Sequence, residues 1–268
     1  MNTDTTISPR SETPGEHIPA VLLVGGMGTR LQPVLPFTPK PLAPVGEKPF
    51  LELLVLQLRS QGIRHIVMCT GYGAEQIEEQ FGDGHKWDVV IEYSRETRPL
   101  GTAGALKLAE PFLRSAPDFL AMNGDSFLAF DFPQFLRFHR RHGGVASIAV
   151  RSVPDASRYG TVQLGAHLKV IGFCEKNNSG APGIVNGGVY LFSRTALRQL
   201  PDGPASLEKD VFPLLLDHGV YAAEQDGMFI DIGTPDDYAR AQSLRQSLCE
   251  EALSDRSFGV HESHLQRP

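Results

Sequence analysis

The sequence predicts an α/β fold: a single Rossmann-like domain built on a doubly wound mixed sheet. Three observations predict it. Short apolar runs alternate with helical periodicity through the first half of the chain, the pattern of a parallel sheet covered by helices. The second half changes to strand-like runs with short connections, which adds an antiparallel portion. At 268 residues, 41% hydrophobic and 21% charged, the composition is ordinary for a globular protein, and one core of this size needs no disulfide or metal staple.

The elements follow in order. Ala20–Val24 is a continuous apolar run ending in glycines, a buried first strand. Phe50, Leu53, Leu54 and Leu58 share one helical face. His65–Cys69 reads as a second strand, followed by a helix over Ala74–Phe81. Val89–Ile91 is a third, followed by a helix over Thr102–Leu113. Asp118–Met122 is a fourth, with a helix over Phe132–His142 after it. Val145–Val150, Thr161–Leu164, Leu168–Phe173 and Gly188–Phe192 are strand-like, as is Met228–Asp231. Residues 1–17 read as a flexible N-terminal tail, 18–246 as the domain and 247–268 as a polar C-terminal tail.

Several function classes fall away. The longest apolar stretches have four to six residues, far short of the ~20 of a membrane helix. The first seventeen residues carry Asp4, Glu12 and Glu16 and lack the apolar core of a signal peptide. Cys69, Cys174 and Cys249 are odd in number and lack metal spacing, so a reduced, cytoplasmic chain is expected. A net charge of −6 without a basic stripe argues against nucleic-acid binding. A homo-oligomer is left open.

The connection from Gly25 to Pro49 is out of proportion, with no convincing element and six of the chain's 20 prolines. Loops this long in compact domains are usually functional, and proline density makes this one stiff. It opens Gly25-Gly26-Met27-Gly28-Thr29-Arg30-Leu31. Glycines here let the backbone approach a ligand and aim N–H groups at an anion. Leu31 stands where a Rossmann fingerprint needs glycine, and the Gly-Lys-Ser/Thr of a P-loop is missing. This is a phosphate loop of another kind, with Arg30 as a bidentate phosphate ligand. Pro39-Lys40-Pro41 then fixes a lysine between two prolines, which suits an ammonium that must meet a phosphate.

Asn123-Gly124-Asp125 ends the fourth strand, where open α/β sheets bind ligands. Asp231 ends the last strand, before Thr234, which caps the next helix with Pro235 at its first position and Asp237 completing a capping box. Two carboxylates at strand ends beside a phosphate loop suit Mg²⁺, which commonly uses one or two carboxylates plus substrate phosphates. His139 and His142 flank Arg140-Arg141 and read as a solvated helix face rather than a metal site. Trp87 reads as core.

These motifs resemble those of the sugar-1-phosphate nucleotidyltransferases over roughly Ile18–Leu244. The resemblance rests on Leu23–Leu31 with Pro39-Lys40-Pro41, on Pro99-Leu100-Gly101-Thr102-Ala103-Gly104, and on Asn123-Gly124-Asp125. Tyr159-Gly160, Glu175-Lys176, Asn186–Tyr190 and Asp231–Pro235 complete it. The pattern is most similar to the D-glycero-D-manno-heptose 1-phosphate guanylyltransferases, with the mannose-1-phosphate enzymes close behind. It implies the nucleotide-diphospho-sugar transferase type of fold, with GTP and a sugar 1-phosphate as substrates and Mg²⁺ as cofactor. Gly25, Gly26, Gly28, Thr29, Glu96 and Gly101 would hold the nucleotide, with Glu96 reading the base. Arg30 and Lys40 would be the catalytic cations, and Asp125 and Asp231 the metal ligands. Gly160, Glu175, Lys176 and Asn186 would bind the sugar phosphate. A thymidylyl- or uridylyltransferase is the same-chemistry alternative. A glycosyltransferase starts from a diphosphate and has less use for Arg30 and Lys40.

Overall fold

The computed structural model describes residues 18–174 and 180–254. The elements begin with β1 (Ala20–Leu23), the two-residue strands β2 (Pro44–Val45) and β3 (Lys48–Pro49), α1 (Phe50–Ser60) and β4 (His65–Thr70). Then come α2 (Ala74–Phe81), β5 (Val90–Arg95), α3 (Gly101–Leu108), α4 (Glu110–Leu113), β6 (Asp118–Asn123) and β7 (Ser126–Leu128). These are followed by α5 (Phe132–His142), β8 (Ala146–Val153), β9 (Thr161–Leu164), β10 (Val170–Cys174) and β11 (Gly183–Ser193). The last are α6 (Phe212–Leu215), β12 (Val220–Glu224), β13 (Phe229–Asp231), α7 (Pro235–Ser243) and α8 (Arg245–Leu253).

One nine-stranded sheet carries the fold, in the order β10-β9-β11-β6-β1-β4-β5, with β8 pairing both β11 and β12. β6, β1, β4 and β5 are parallel, while β11 runs antiparallel to β6, β8 and β9. The sheet is thus mixed, as the change of pattern at mid-chain predicts. Side chains alternate across β1: Leu22 joins the core under α1 and α5, and Val21 joins the opposite core with Ala103 and Leu106 of α3. A strand buried on both faces reads as a continuous apolar run for this reason.

The structure departs from the sequence reading in several places, among them strands β7 and β12, which that reading did not expect. The helix expected over 102–113 breaks at Ala109 into α3 and α4, because Pro111 has no N–H to donate and its ring crowds the preceding turn. β5 continues to Arg95; it is an edge strand paired only with β4, so its polar side chains can face water. The connection after β1 holds a single turn of 3₁₀ helix at Lys40–Leu42 and the β2–β3 hairpin. His139 is not solvated. It is 3% exposed, with Nδ1 2.9 Å from Ser147 Oγ, because Phe132, Phe135, Leu136 and His139 make the inward stripe of α5. His142 packs between Phe138 and Tyr221, its ring tilted against both. Finally, the segment from 247, expected as a polar tail, is helical to Leu253. Leu248 and Ala252 of α8, spaced i and i+4, are buried in the same core as Leu53 and Leu54 of α1. Trp87 is core, stacked on Phe81 with centroids 4.9 Å apart.

Candidate active site

Two cavities open at the carboxyl ends of the parallel strands. The first, of about 470 Å³, is walled by Gly25–Arg30, Lys40, Glu96, Gly101, Asn123 and Asp125. The second, of about 440 Å³, is walled by Ser126, Tyr159, Gly160, Asn186, Phe229 and Asp231. Asn123 and Glu208 line both, so the cavities meet there.

The loop after β1 is held by the buried Leu31, 2% exposed, and by tight turns such as Leu31 N to Gly28 O at 2.9 Å. The residue that rules out a Rossmann fingerprint is therefore the loop's anchor. Gly28 has φ +59°, and a Cβ there would stand 2.7 Å from the Lys40 Cβ. Only glycine lets this loop lie against the Lys40 turn.

Lys40 is 9% exposed and its Nζ donates to Asp125 Oδ2 at 2.7 Å. Asp231 stands beside this pair because β13 pairs antiparallel with β7, setting Asp231 opposite Ser126. Ile232 N also donates to the Asp125 carbonyl at 2.9 Å. Burial, reinforced by the neighbouring charge of Asp125, pushes the Asp231 carboxyl up to about 6, against the opposing pull of Lys40 and the Gly233 N–H. Two carboxylates and one ammonium leave a net negative charge between the cavities.

Asn186 is aimed by a bulge. The register of β11 against β8 shifts between Asn186 and Val189, and Gly188, at φ +73°, packs where a Cβ would meet Ser126 Oγ at 2.5 Å. Asn186 Nδ2 donates to Tyr190 Oη at 2.9 Å and to Glu208 Oε1 at 2.8 Å. Bulges of this kind re-aim side chains beside active sites. Burial holds the Tyr190 hydroxyl well above its usual range.

A model of the nucleotidyl transferase family matches residues 19–247. The chain belongs to that family. The transferase is 35% identical over 249 residues to the mannose-1-phosphate guanylyltransferase catalytic subunit beta of Drosophila pseudoobscura pseudoobscura, covering 92% of this chain and 67% of the relative. With the Danio rerio protein of the same name it shares 36% identity, over 89% of this chain and 69% of that one. Among solved structures, HddC from Yersinia pseudotuberculosis complexed with GMP-PN superposes with a TM-score of 0.77 at 31% identity, covering 84% of this chain and 98% of that one.

Most of the residues singled out in the transferase sequence converge. Gly25, Gly26, Gly28, Thr29, Arg30, Lys40, Glu96, Gly101 and Asp125 line the first cavity, and Gly160, Asn186 and Asp231 the second. Glu175 and Lys176 lie outside the described residues. Thr234 caps α7 as expected: Asp237 N donates to its hydroxyl at 3.3 Å, and the hydroxyl donates to Asp237 Oδ2 at 2.6 Å. Glu96 Oε2 accepts from Leu100 N at 3.0 Å, and burial raises its carboxyl despite that bond.

Two site residues, Glu208 and Ser126, and one arginine outside the cavities, Arg158, escaped the sequence reading. Glu208 reaches the junction from a π-helical turn, Leu207–Val211, a rare conformation that often marks functional sites. Ser126 is 5% exposed on the second cavity's wall, and its Oγ has no protein hydrogen-bond partner. Arg158 reaches Asp237 at 2.5 Å. The one available signal was that Ser126 follows Asp125 directly; the other two are made by tertiary contacts.

Proposed function

We propose that the chain is a sugar-1-phosphate guanylyltransferase that moves the GMP unit of GTP onto a sugar 1-phosphate and releases pyrophosphate. One observation carries this reading: the two cavities meet with a carboxylate on each, Asp125 on the first and Asp231 on the second, and Lys40 between them. The first cavity has the backbone loop and cations for a triphosphate, and the second has the polar side chains for a sugar phosphate. Guanylyltransferase relatives and the GMP-PN complex of HddC support GTP as donor.

A phosphate oxygen of the sugar 1-phosphate forms a bond to the α-phosphorus of GTP while the bond to the bridging oxygen breaks, and pyrophosphate leaves with that oxygen. No protein nucleophile and no proton transfer is needed. Catalysis is positioning and charge neutralisation: Arg30 and the Gly25–Thr29 backbone hold the triphosphate, and Lys40 faces the charge that grows on the leaving phosphates. Gly160 and Asn186, with Glu175 and Lys176, hold the acceptor.

Asp125 and Asp231 fit a divalent cation. Among the described residues no group of three or more His, Cys, Asp or Glu side chains forms a complete protein cage. A carboxylate pair next to a phosphate site is the donor set Mg²⁺ uses, completed by substrate oxygens. When bound, Mg²⁺ would neutralise phosphate charge there.

Glu96 favours guanine. A carboxylate only accepts hydrogen bonds, and guanine offers N1–H and the N2 amino group side by side, whereas uracil and thymine offer one N–H between carbonyls. The acceptors in view are D-glycero-D-manno-heptose 1-phosphate and mannose 1-phosphate, in the cytoplasm. No helix among the described residues is long and apolar enough to cross a membrane. Pyrophosphate release from GTP, dTTP, UTP and ATP with a panel of sugar 1-phosphates tests the reading. Equal kcat/KM for GTP and dTTP refutes guanylyl specificity, and no release from any pair refutes the reaction.

A further inference from the structure

Helix α7 touches both sides of the site without entering either cavity. At its N-terminal end Asp237 is 6% exposed. One carboxylate oxygen accepts from the Thr234 hydroxyl at 2.6 Å and the other from Arg158 Nη2 at 2.5 Å. Arg158 also reaches Thr234 Oγ1 at 3.4 Å. Tyr159 and Gly160, which follow Arg158, form the wall of the second cavity. Tyr159 packs on Phe229, one strand before α7, with ring centroids 5.3 Å apart.

Along α7, Tyr238 and Gln242 are spaced i and i+4 and project from one face. Tyr238 Oη donates to the Pro44 carbonyl at 2.7 Å, and Gln242 Nε2 donates to the same carbonyl. Gln242 Oε1 accepts from Gly46 N at 3.1 Å. Pro44 and Gly46 belong to the β2–β3 hairpin, which follows the Lys40–Leu42 turn directly. That turn would otherwise be a stretch of proline-rich loop far in sequence from the acceptor wall.

We infer that α7 is the gauge that sets the separation between Lys40 on the nucleotide side and the Tyr159–Gly160 wall on the acceptor side. Arg158–Asp237 is its coupling at one end, and Tyr238 and Gln242 on the hairpin are its coupling at the other. The inference rests on the guanylyltransferase reading. The reaction needs it because in-line attack tolerates little misplacement, and a shift of ~1 Å can cost on the order of 10²-fold in rate. None of the four residues lines either cavity; they are positioning residues, and each end has its own kinetic signature. Loosening the hairpin end moves Lys40, so kcat falls while the KM for sugar 1-phosphate holds. Loosening the Arg158 end moves the acceptor wall, so that KM rises while the KM for GTP holds.

The test varies GTP and sugar 1-phosphate independently for wild type, Arg158→Gln, Arg158→Lys and the double variant Tyr238→Phe/Gln242→Ala, with Tm recorded for each. Losing a hydrogen bond to a charged group changes an equilibrium by about tenfold or more. Arg158→Gln is therefore expected to raise the KM for sugar 1-phosphate about tenfold and leave that for GTP within roughly twofold. Arg158→Lys should recover part of the loss, and supplies the measurement if the Gln variant folds poorly. The Tyr238/Gln242 variant should lose about tenfold in kcat with the acceptor KM unchanged. If both variants lose kcat alone in step with Tm, or if Arg158→Gln raises both KM values equally, α7 is only packing and the inference is overturned. A wild type that releases no pyrophosphate overturns the guanylyltransferase reading and this inference with it.

Discussion

Desolvation and the neighbouring Asp125 raise the pKa of the half-buried Asp231 carboxyl from 3.8 to about 6, so at pH 7 the fold holds this group charged at a cost. A tenfold change in protonation equilibrium is worth about 1.4 kcal/mol, so holding Asp231 charged costs the fold about 2–3 kcal/mol relative to a neutral group. Asp231→Asn removes that cost without orphaning a partner, since Lys40 keeps Asp125 at 2.7 Å and an amide oxygen can still accept from Gly233 N. For a domain of this size each kcal/mol moves Tm by about 2–4 °C. The variant should therefore melt roughly 5–10 °C above wild type at pH 7–8 in EDTA, while losing most turnover. The sign with pH follows from the raised pKa. The cost is absent below the unfolded value of 3.8, grows between there and 6, and is complete above. Thermal melts from pH 5 to 8 should show the gap falling to about half at pH 5. Adding Mg²⁺ should raise the wild-type Tm and narrow the gap. A variant no more stable than wild type at pH 8 in EDTA, or a gap that ignores pH, refutes the reasoning.

Lys40→Ala should lower kcat by about 10²–10³, the scale for removing one electrostatic stabiliser. Because Lys40 is buried on Asp125, the change should also lower Tm in EDTA, with Mg²⁺ restoring part of it; unchanged turnover would sink the assignment. Glu96→Gln should narrow the preference for GTP over dTTP by about tenfold in kcat/KM, measured with both nucleotides at one acceptor concentration. Burial holds His139 below its usual pKa of 6.5, so below that pH the unfolded chain takes up a proton that the folded one refuses. Stability is then lost as pH falls through 6.5, and His139→Gln should show a shallower loss between pH 7 and 5.5 in urea melts.

Much of the parallel half was legible because β1, β4 and β6 are buried on both faces and α1, α2 and α5 carry clean stripes. The long loop after β1 was legible because Gly28 lies against Lys40, which forces glycine there, and because prolines fix Lys40 on both sides. Asp125 and Asp231 could be singled out because one follows and the other ends an apolar strand. What stayed hidden depends on distant contacts. Arg158 and Asp237 are 79 residues apart, and nothing local distinguishes Arg158 from an ordinary surface arginine. Glu208 needed the π-helical turn to reach Asn186. His139 was misread because its charged neighbours, Arg140 and Arg141, outweighed its place on the stripe begun by Phe132. In α8, Leu248 and Ala252 are only two apolar positions within a polar segment, too few to announce a buried face.

The bulge in β11 has a consequence for how such a protein can diversify. Upstream of it, Val185 pairs with Thr161 of β9, next to the acceptor wall; downstream, Val189–Ser193 are locked to β6 in the centre of the sheet. In a regular strand, one residue inserted upstream would turn every later side chain to the opposite face. A bulge already accommodates an unpaired residue, so it works as an expansion joint. A one-residue slip in the pairing of Gly183–Asn186 with β8 can be taken up at Gly187 and Gly188 before it reaches Tyr190 and the strands in the centre of the sheet. Segments bounded by β8 and the bulge can therefore be exchanged, by recombination or by design, while the central strands keep their register.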